Sequence, residues 1–458
     1  MQFKNTEDTI VALATPPGIG AISVIRLSGT EAINLCSQVF KGKDLTKVES
    51  HTIHFGKILN DKKVVDEVLV SVFISPKSYT GENTVELSCH GSTYIQQKII
   101  ELLINKGARI AEPGEFTLRA FLNGKFDLAQ AEAVADLIAS DSEGSHSLAL
   151  DQMKGVFSSK IRNLREQLIH FASMIELELD FGEEDVEFAK RDDLIKLVNE
   201  VLTLVTGLLN SFKLGNVIKN GIPVAIVGKP NVGKSTLLNA LLQDDRAIVS
   251  EIAGTTRDTI EDVVNIEGVM FRFIDTAGLR DTEDEIEKIG VSKAFENIDK
   301  AEIVIYLFDI ENVDSKSIDR ELEELNLKEQ QLIVVGNKSD RVDEKFISEK
   351  YNSQTNLLFV SAKDGTNISK ITDQLKQYHN LGNIGKESAI VSNVRHFEAL
   401  QNTEASLNDV LKGIENEVTG DLLAIDIKRA LNFLAEITGD ISTDDLLENI
   451  FSRFCIGK

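Results

Sequence analysis

Residues Gly228–Thr236 read GKPNVGKST. The stretch fits G-x-x-x-x-G-K-[ST], and its surroundings are those such a loop requires. A short apolar run, Ile222–Val227, precedes it. Leu237, Leu238, Ala240 and Leu241 follow at helical spacing. Strand, glycine loop and helix N-terminus form an anion trap across Asn231, Val232, Gly233, Lys234, Ser235 and Thr236. Backbone N–H groups there suit a β-phosphate, Lys234 adds a mobile positive charge, and the Ser235 hydroxyl can ligate Mg2+.

Four further motifs stand in order after the loop. SEIAGTTRD contains Ser250, Glu251, Ile252, Ala253, Gly254, Thr255 and Thr256. A threonine between a phosphate-loop helix and a DxxG is placed to sense a γ-phosphate, which points to Thr256 or Thr255. DTAG (Asp275, Thr276, Ala277, Gly278) follows an expected strand over Met270–Ile274. Its carboxylate can hold Mg2+ through water, and the Gly278 N–H can reach a γ-phosphate. NKSD supplies Asn337, Lys338 and Asp340, and SAK supplies Ser361, Ala362 and Lys363. Asp340 can accept guanine's N1–H and 2-amino group. Adenine offers neither, so the pocket would discriminate strongly for GTP.

Two absences bear on hydrolysis. The position after DTAG, where a glutamine can orient the attacking water, is Leu279. No intrinsic arginine finger is evident, although Arg257 and Arg280 lie in the two switch segments. The acidic run EDEIE, Glu283–Glu287, can supply a water-positioning carboxylate or simply form a solvated face. Asn231 offers a neutral oxygen beside the phosphates, suited to a monovalent cation.

Working outward, residues 1–120 alternate strand and helix patterns. Strands are expected over Thr9–Ala14 and Ala21–Leu27, a hairpin across NDKK, a strand over Thr84–Ser88, and helices over Glu31–Phe40 and Thr93–Ile104. Glu112–Leu128 is a dense polar-aromatic stretch without a clear period. Helical periodicity follows in Ala129–Ile138, in Ile161 through Leu179, and in Leu194–Leu209. It returns in Val394–Ile414 and Asp421–Ile437. Helical segments thus bracket an α/β block, and each half alone would leave an apolar face uncovered. The expected fold is multidomain α+β, with an α/β P-loop GTPase domain of the Ras-like kind inserted into a helical domain. The expected limits are 1–120 for the N-terminal α+β domain, 121–215 and 383–458 for the two helical parts, and 216–382 for the inserted domain.

The chain has 49 basic and 73 acidic residues, a net charge of −24, which argues against a broad basic nucleic-acid surface. Cys36, Cys89 and Cys455 lie far apart with no C-x-x-C, so no zinc or redox framework is readable. The start, MQFKNTEDTIVALAT, lacks a secretory signal's pattern. No apolar run approaches the roughly 20 residues of a membrane span. A cytoplasmic location is expected.

With these motifs in hand, the chain resembles the tRNA-modification GTPase family called MnmE or TrmE. The specific pieces are TPPGIGAISVIRLSG, PKSYTGENTVEL, PGEFTLRAFLNGKFDLAQAEAVADLI, the four nucleotide motifs and the ending EITGDISTDDLLENIFSRFCIGK. The resemblance implies GTP hydrolysis without an external activator, through dimerised G domains with potassium beside the phosphates. It places potassium at Asn231, Ser250, the Ile252 backbone and Thr255, Mg2+ at Ser235 and Thr256, and the water-orienting carboxylate at Glu287. Many members have threonine where this chain has Ser250. The N-terminal domain is similar to tetrahydrofolate-binding aminomethyltransferase domains and implies a constitutive homodimer. Contacts to 5-formyl-tetrahydrofolate or a related folate carry over to Arg26, Glu86, Lys125 and Lys458, with Cys455 a candidate site residue. The family acts with an FAD-dependent partner, MnmG or GidA. Together they add an aminomethyl or carboxymethylaminomethyl group to C5 of the wobble uridine of certain tRNAs. The acidic balance fits a partner that supplies much of the tRNA-binding surface. The residues alone also fit a regulatory or assembly switch without modification chemistry.

Overall fold

The apolar run Ile10–Leu13 forms β1 and Ile22–Ser28 forms β2, on either side of the TPPGIG turn, as expected. The structure is a computed structural model. It describes residues 8–180, 191–243, 247–249, 262–266, 269–274, 296–351, 357–377, 389–452, 454, 456 and 457. The chain divides into two units. One comprises Met1–Ala135, Gln152–Leu202 and Ala399–Lys458, and the other Asp136–Asp151 and Thr203–Glu398. The α/β block is therefore an insertion, because the first unit's chain leaves at Leu202 and returns at Ala399.

In the first unit β1 and β2 continue into α1 (Ala32–Val39), β3 (Phe40–Lys41), β4 (Thr52–Asn60) and β5 (Lys63–Phe73). Asp61 at φ 54° turns the β4–β5 hairpin, so NDKK behaves as its short polar residues predict. Next come β6 (Thr84–His90), α2 (Thr93–Asn105) and β7 (Arg109–Ile110). The sheet order is β3-β4-β5-β6-β2-β1-β7, with only β1–β7 parallel. Ile25, Leu27, Val70, Val85 and Leu87 turn one face toward Leu35, Cys36, Ile99 and Leu103 of α1 and α2. The opposite face carries Arg26 and Glu86.

Within Glu112–Leu128, the dense polar-aromatic stretch, Glu115–Leu122 forms α3. Glu115 through Ala120 are all buried there. The polar pattern hides a buried helix because its charges are paired. Arg119, 2% exposed, donates to Asp8 Oδ1 (2.5 Å), Glu115 Oε1 (3.0 Å) and Glu82 (3.3 Å). Arg109 spans Asp8 and Glu115, each at 2.6 Å. Burial alone would raise the Asp8 and Glu115 carboxyls, but the hydrogen bonds and charges of the two arginines hold both below their ordinary values.

Helices follow: α4 (Leu128–Ala139) and α7 (Arg191–Asn220) start in the first unit and run into the second, α6 (Val156–Asp180) lies wholly in the first, and most of α5 (Glu143–Met153) lies in the second. Ile161, Leu164, Leu168, Phe171 and Ile175 form the buried stripe of α6, as their spacing predicts. By length and composition alone, α7 could cross a membrane. Lys196 and Glu200 interrupt it, so no unbroken apolar run shows in the sequence. Its buried positions Leu194, Val198, Val201, Val205 and Leu208 recur at three- and four-residue steps, the stripe of an amphipathic helix.

The second unit's sheet begins with β8 (Ile222–Val227), followed by α8 (Lys234–Leu242). It continues with β9 (Ala247–Val249), β10 (Asp262–Ile266), β11 (Val269–Phe273) and β12 (Ile303–Asp309). Then come α9 (Ser315–Glu324), β13 (Gln331–Asn337), α10 (Glu344–Lys350), β14 (Leu357–Phe359) and α11 (Ile368–Gln377). The order is β14-β13-β12-β8-β11-β10-β9. The five strands from β14 to β11 are parallel, and β10 reverses. All seven residues of β12 are buried, which explains its unbroken apolar run. Two cores flank the sheet, one built on Leu237, Leu241 and Ile371, the other on Ile298, Ile318 and Tyr351.

The chain closes with α12 (Val394–Glu415), α13 (Gly420–Thr438) and α14 (Asp444–Phe451). In the first unit α13 packs along α6. Lys428–Glu176 (2.5 Å) ties the two helices, and Arg165 of α6 pairs with Asp440 just past the end of α13. Leu447 and Phe451 of α14 bury against Leu118 and Leu128.

Candidate functional sites

The end of β8 turns sharply into GKPNVGKST. Gly228 has φ 151°, and a Cβ there would stand 2.1 Å from Leu307 O on β12. Gly233, at φ 97°, would meet Asn337 Nδ2 at 2.4 Å. Asn231 also takes a left-handed conformation (φ 61°). The loop therefore lies tightly on its neighbours, and a side chain at either glycine would lift it. No side chain caps α8, so its first-turn N–H groups face the loop's concavity, where an anion is favoured. Ser235 and Thr236 lie in that turn. Lys234 Nζ donates to Gly228 O (2.8 Å) and Lys229 O (2.9 Å), and burial pushes its pKa down.

The base-side motifs are stitched to this loop. Asn337, 3% exposed at the end of β13, donates to Val232 O (2.8 Å) and accepts from Ala362 N (3.0 Å). Lys338 donates to Asn231 O (2.9 Å) and pairs with Asp309 Oδ2 (2.7 Å). Asp340 accepts the Ser361 hydroxyl at 2.7 Å, a bond that lowers its pKa. Lys363 is exposed at the edge of this loop. Three loops, 228–236, 337–340 and 361–363, thus meet at one end of the parallel strands, where open α/β sheets bind ligands.

The first unit holds a second polar cluster. Cross-strand partners Arg26 and Glu86 form an ion pair, with Nη2 2.8 Å and Nε 2.9 Å from Oε1. The guanidinium lies 5.4 Å from the Tyr79 ring centroid and 5.7 Å from that of Phe116. Arg26 Nη1 donates to Gly457 O (3.3 Å), and a Cβ on Gly457 would stand 2.2 Å from Leu13 O. Gly457 is therefore seated beside Arg26. Lys125 donates instead to Pro76 O (3.1 Å).

Comparison with known proteins bears on both sites. The family described as GTP-binding protein TrmE N-terminus matches residues 9–125, and the MnmE helical domain matches 128–455. A protein named tRNA modification GTPase MnmE from Cytophaga hutchinsonii is 55% identical over 454 residues, covering 99% of this chain and 98% of its own length. This chain belongs to the MnmE family. The Flavobacterium psychrophilum MnmE is 54% identical over 458 residues, covering 98% of this chain and 99% of that one. A solved Aquifex aeolicus Era structure, bound to GDP and aluminium fluoride, is 30% identical and covers 40% of this chain and 65% of its own at a TM-score of 0.26.

Within this MnmE chain, the structure brings together Asn231–Thr236, Asn337, Lys338, Asp340 and Ser361–Lys363, and separately Arg26 and Glu86. Ser250, Glu251, Ile252, Ala253, Gly254, Thr255, Thr256, Asp275, Thr276, Ala277, Gly278, Glu287, Cys455 and Lys458 lie outside the described residues. Among the described residues no group of three or more His, Cys, Asp or Glu is placed to hold a metal. The donor set suits Mg2+ held by a hydroxyl and phosphate oxygens, since Ser235 stands half-buried at an anion-favouring helix start. Sequence reasoning missed Asp309, Tyr79 and Phe116. Asp309 ends a fully buried strand, where a carboxylate needs a partner, and that was a readable signal. Tyr79 and Phe116 gave none, because only the fold places them on Arg26.

Proposed function

We propose that this protein is a GTP hydrolase acting in tRNA modification. The observation that carries the reading is agreement with a tRNA modification GTPase over 99% of this chain. The stitched nucleotide loops support the GTP half. Val232–Thr236 hold the phosphates, Asn337, Lys338, Ser361, Ala362 and Lys363 shape the base pocket, and Asp340 reads guanine. Ser235 and Thr256 hold Mg2+, which supplies charge neutralisation at the phosphates. Asp275, Thr276, Ala277 and Gly278, with Glu251, Ala253 and Gly254, form the switches around the γ-phosphate. Asn231, Ser250, the Ile252 carbonyl and Thr255 hold potassium, and Glu287 orients the attacking water when two G domains close together.

The modification half belongs to the first unit. Arg26, Glu86, Lys125 and Lys458 hold a folate one-carbon donor, with Cys455 beside them. A carboxylate suits the pterin's N–H groups, and cations suit its glutamyl tail. The Arg26–Glu86 pair and Gly457 beside it support this grouping. An FAD-dependent partner completes the addition at C5 of the wobble uridine. The protein is a cytoplasmic homodimer with domain limits at 1–120, 121–215, 216–382 and 383–458. Mass spectrometry of tRNA nucleosides from cells lacking this protein tests the reading. The modified wobble uridine should be lost, return with the native chain and stay lost with Lys234→Ala. Unchanged nucleosides in the deletion strain would overturn it.

A further inference from the structure

Lys229 is the first side chain of the phosphate loop, and the nucleotide motifs assign it no role. Its Nζ lies 2.6 Å from Glu321 Oε1 on α9, 92 residues away in sequence. The other oxygen of Glu321 accepts the Tyr306 hydroxyl at 2.5 Å. Tyr306 is 3% exposed in β12, while the Glu321 side chain is 18% exposed and that of Lys229 62%. A core tyrosine thus orients a mostly buried carboxylate, and the carboxylate reaches out to the loop. Burial and the bond to Glu321 keep the Tyr306 hydroxyl protonated and donating.

The neighbouring residue of the same strand completes the arrangement. Leu307 O backs Gly228 so closely that no side chain fits. Gly228 and Lys229 are thus held by adjacent residues of β12, one through backbone contact and one through Glu321. Lys234 also ties their carbonyls, bonding both. In phosphate loops the lysine reaches the β- and γ-phosphates. To do so here, Lys234 must leave Gly228 O and Lys229 O.

We propose that Glu321, aligned by Tyr306, is a positioning residue for the phosphate loop. It keeps Gly228–Lys229 in the nucleotide-ready conformation once Lys234 turns to the phosphates. The inference rests on the nucleotide reading of this loop. It also makes a prediction of unusual sign. A carboxylate close to an anion site repels the ligand through space, so simple electrostatics predicts tighter binding when that charge is removed. A positioning role predicts the opposite, because a loosened loop must be ordered on binding.

The test uses the full chain and a fluorescent GDP, with steady-state GTP hydrolysis alongside. Glu321→Gln should raise the GDP Kd and dissociation rate about five-fold, the scale of one partly exposed ion pair. Tyr306→Phe, which leaves every charge in place, should move both in the same direction by a smaller factor. Lys229→Arg should bind like the native chain. KM for GTP should rise in Glu321→Gln while kcat at saturation stays within about two-fold. The nucleotide-free melting temperature should be unchanged. Tighter or unchanged binding by Glu321→Gln overturns the proposal, as does weaker binding matched by a fall in that melting temperature. No GDP binding by the native chain would instead refute the nucleotide reading itself.

Discussion

At Asp340 the Ser361 hydroxyl occupies one lone pair of Oδ1 at 2.7 Å. Each carboxylate oxygen accepts two hydrogen bonds, so acceptor capacity remains for the two N–H groups of guanine. Asp340→Asn replaces an acceptor oxygen with a donor and removes the charge. Two charge-assisted bonds are affected, so guanine nucleotide affinity should fall by about 100-fold, near 3 kcal/mol. Xanthine nucleotides, with a carbonyl in place of the 2-amino group, should gain affinity. Parallel titrations with GDP and XDP check this, and equal loss of both would mean that Asp340 only shapes the loop. Asp340 stands out as a candidate because NKSD is a local motif. Asp309 and Tyr79 were harder, because their roles depend on partners 29 and 53 residues away, Lys338 and Arg26.

Among the elements, α4 shows how far local sequence reached. Asp127 and Gln130 form a reciprocal capping box: Gln130 N donates to Asp127 Oδ1 (2.9 Å), and Asp127 N donates to Gln130 Oε1 (3.0 Å). The same carboxylate accepts from Ser158 Oγ (3.0 Å) and Arg162 Nη2 (2.6 Å) of α6. The Ala-rich helical pattern was legible, whereas the tie to α6 was not, because periodicity says which face is apolar and not which polar residue meets it. Asp127→Ala should destabilise the first unit by about 2 kcal/mol, from a lost cap and an unpartnered buried Ser158. Asp127→Asn, which preserves the cap, should cost less than half of that. Denaturant midpoints measure both, and equal effects would mean that the cap contributes little. Helix α3 escaped sequence reasoning for the opposite reason. Six of its eight residues carry no charge, and its buried Glu115 and Arg119 look like surface positions until Asp8 and Arg109 are seen beside them.

For the whole molecule, acid acts in two opposed ways. From neutral pH to the pI of about 4.8, protonation relieves the self-repulsion of a chain carrying −24, so stability should hold or rise. The network of Asp8, Glu115, Arg109 and Arg119 works against this at lower pH. Both carboxyls sit below their ordinary values when folded. Their contribution is therefore complete above the unfolded values of about 4 and drains as pH falls through the lower folded ones. Calorimetry should show the first unit's transition holding between pH 7 and 5, then falling steeply below about pH 4. GDP identifies the other transition, since a ligand at 100 times its Kd adds about 2.7 kcal/mol only to the unit that binds it. Arg119→Met should lower the first unit's stability at pH 7 by about 3–5 kcal/mol, because Asp8 and Glu115 lose a buried partner. The same change should flatten the fall below pH 4, because less carboxylate stabilisation is left to lose. A variant that kept the native acid slope would show that exposed carboxylates elsewhere govern acid unfolding.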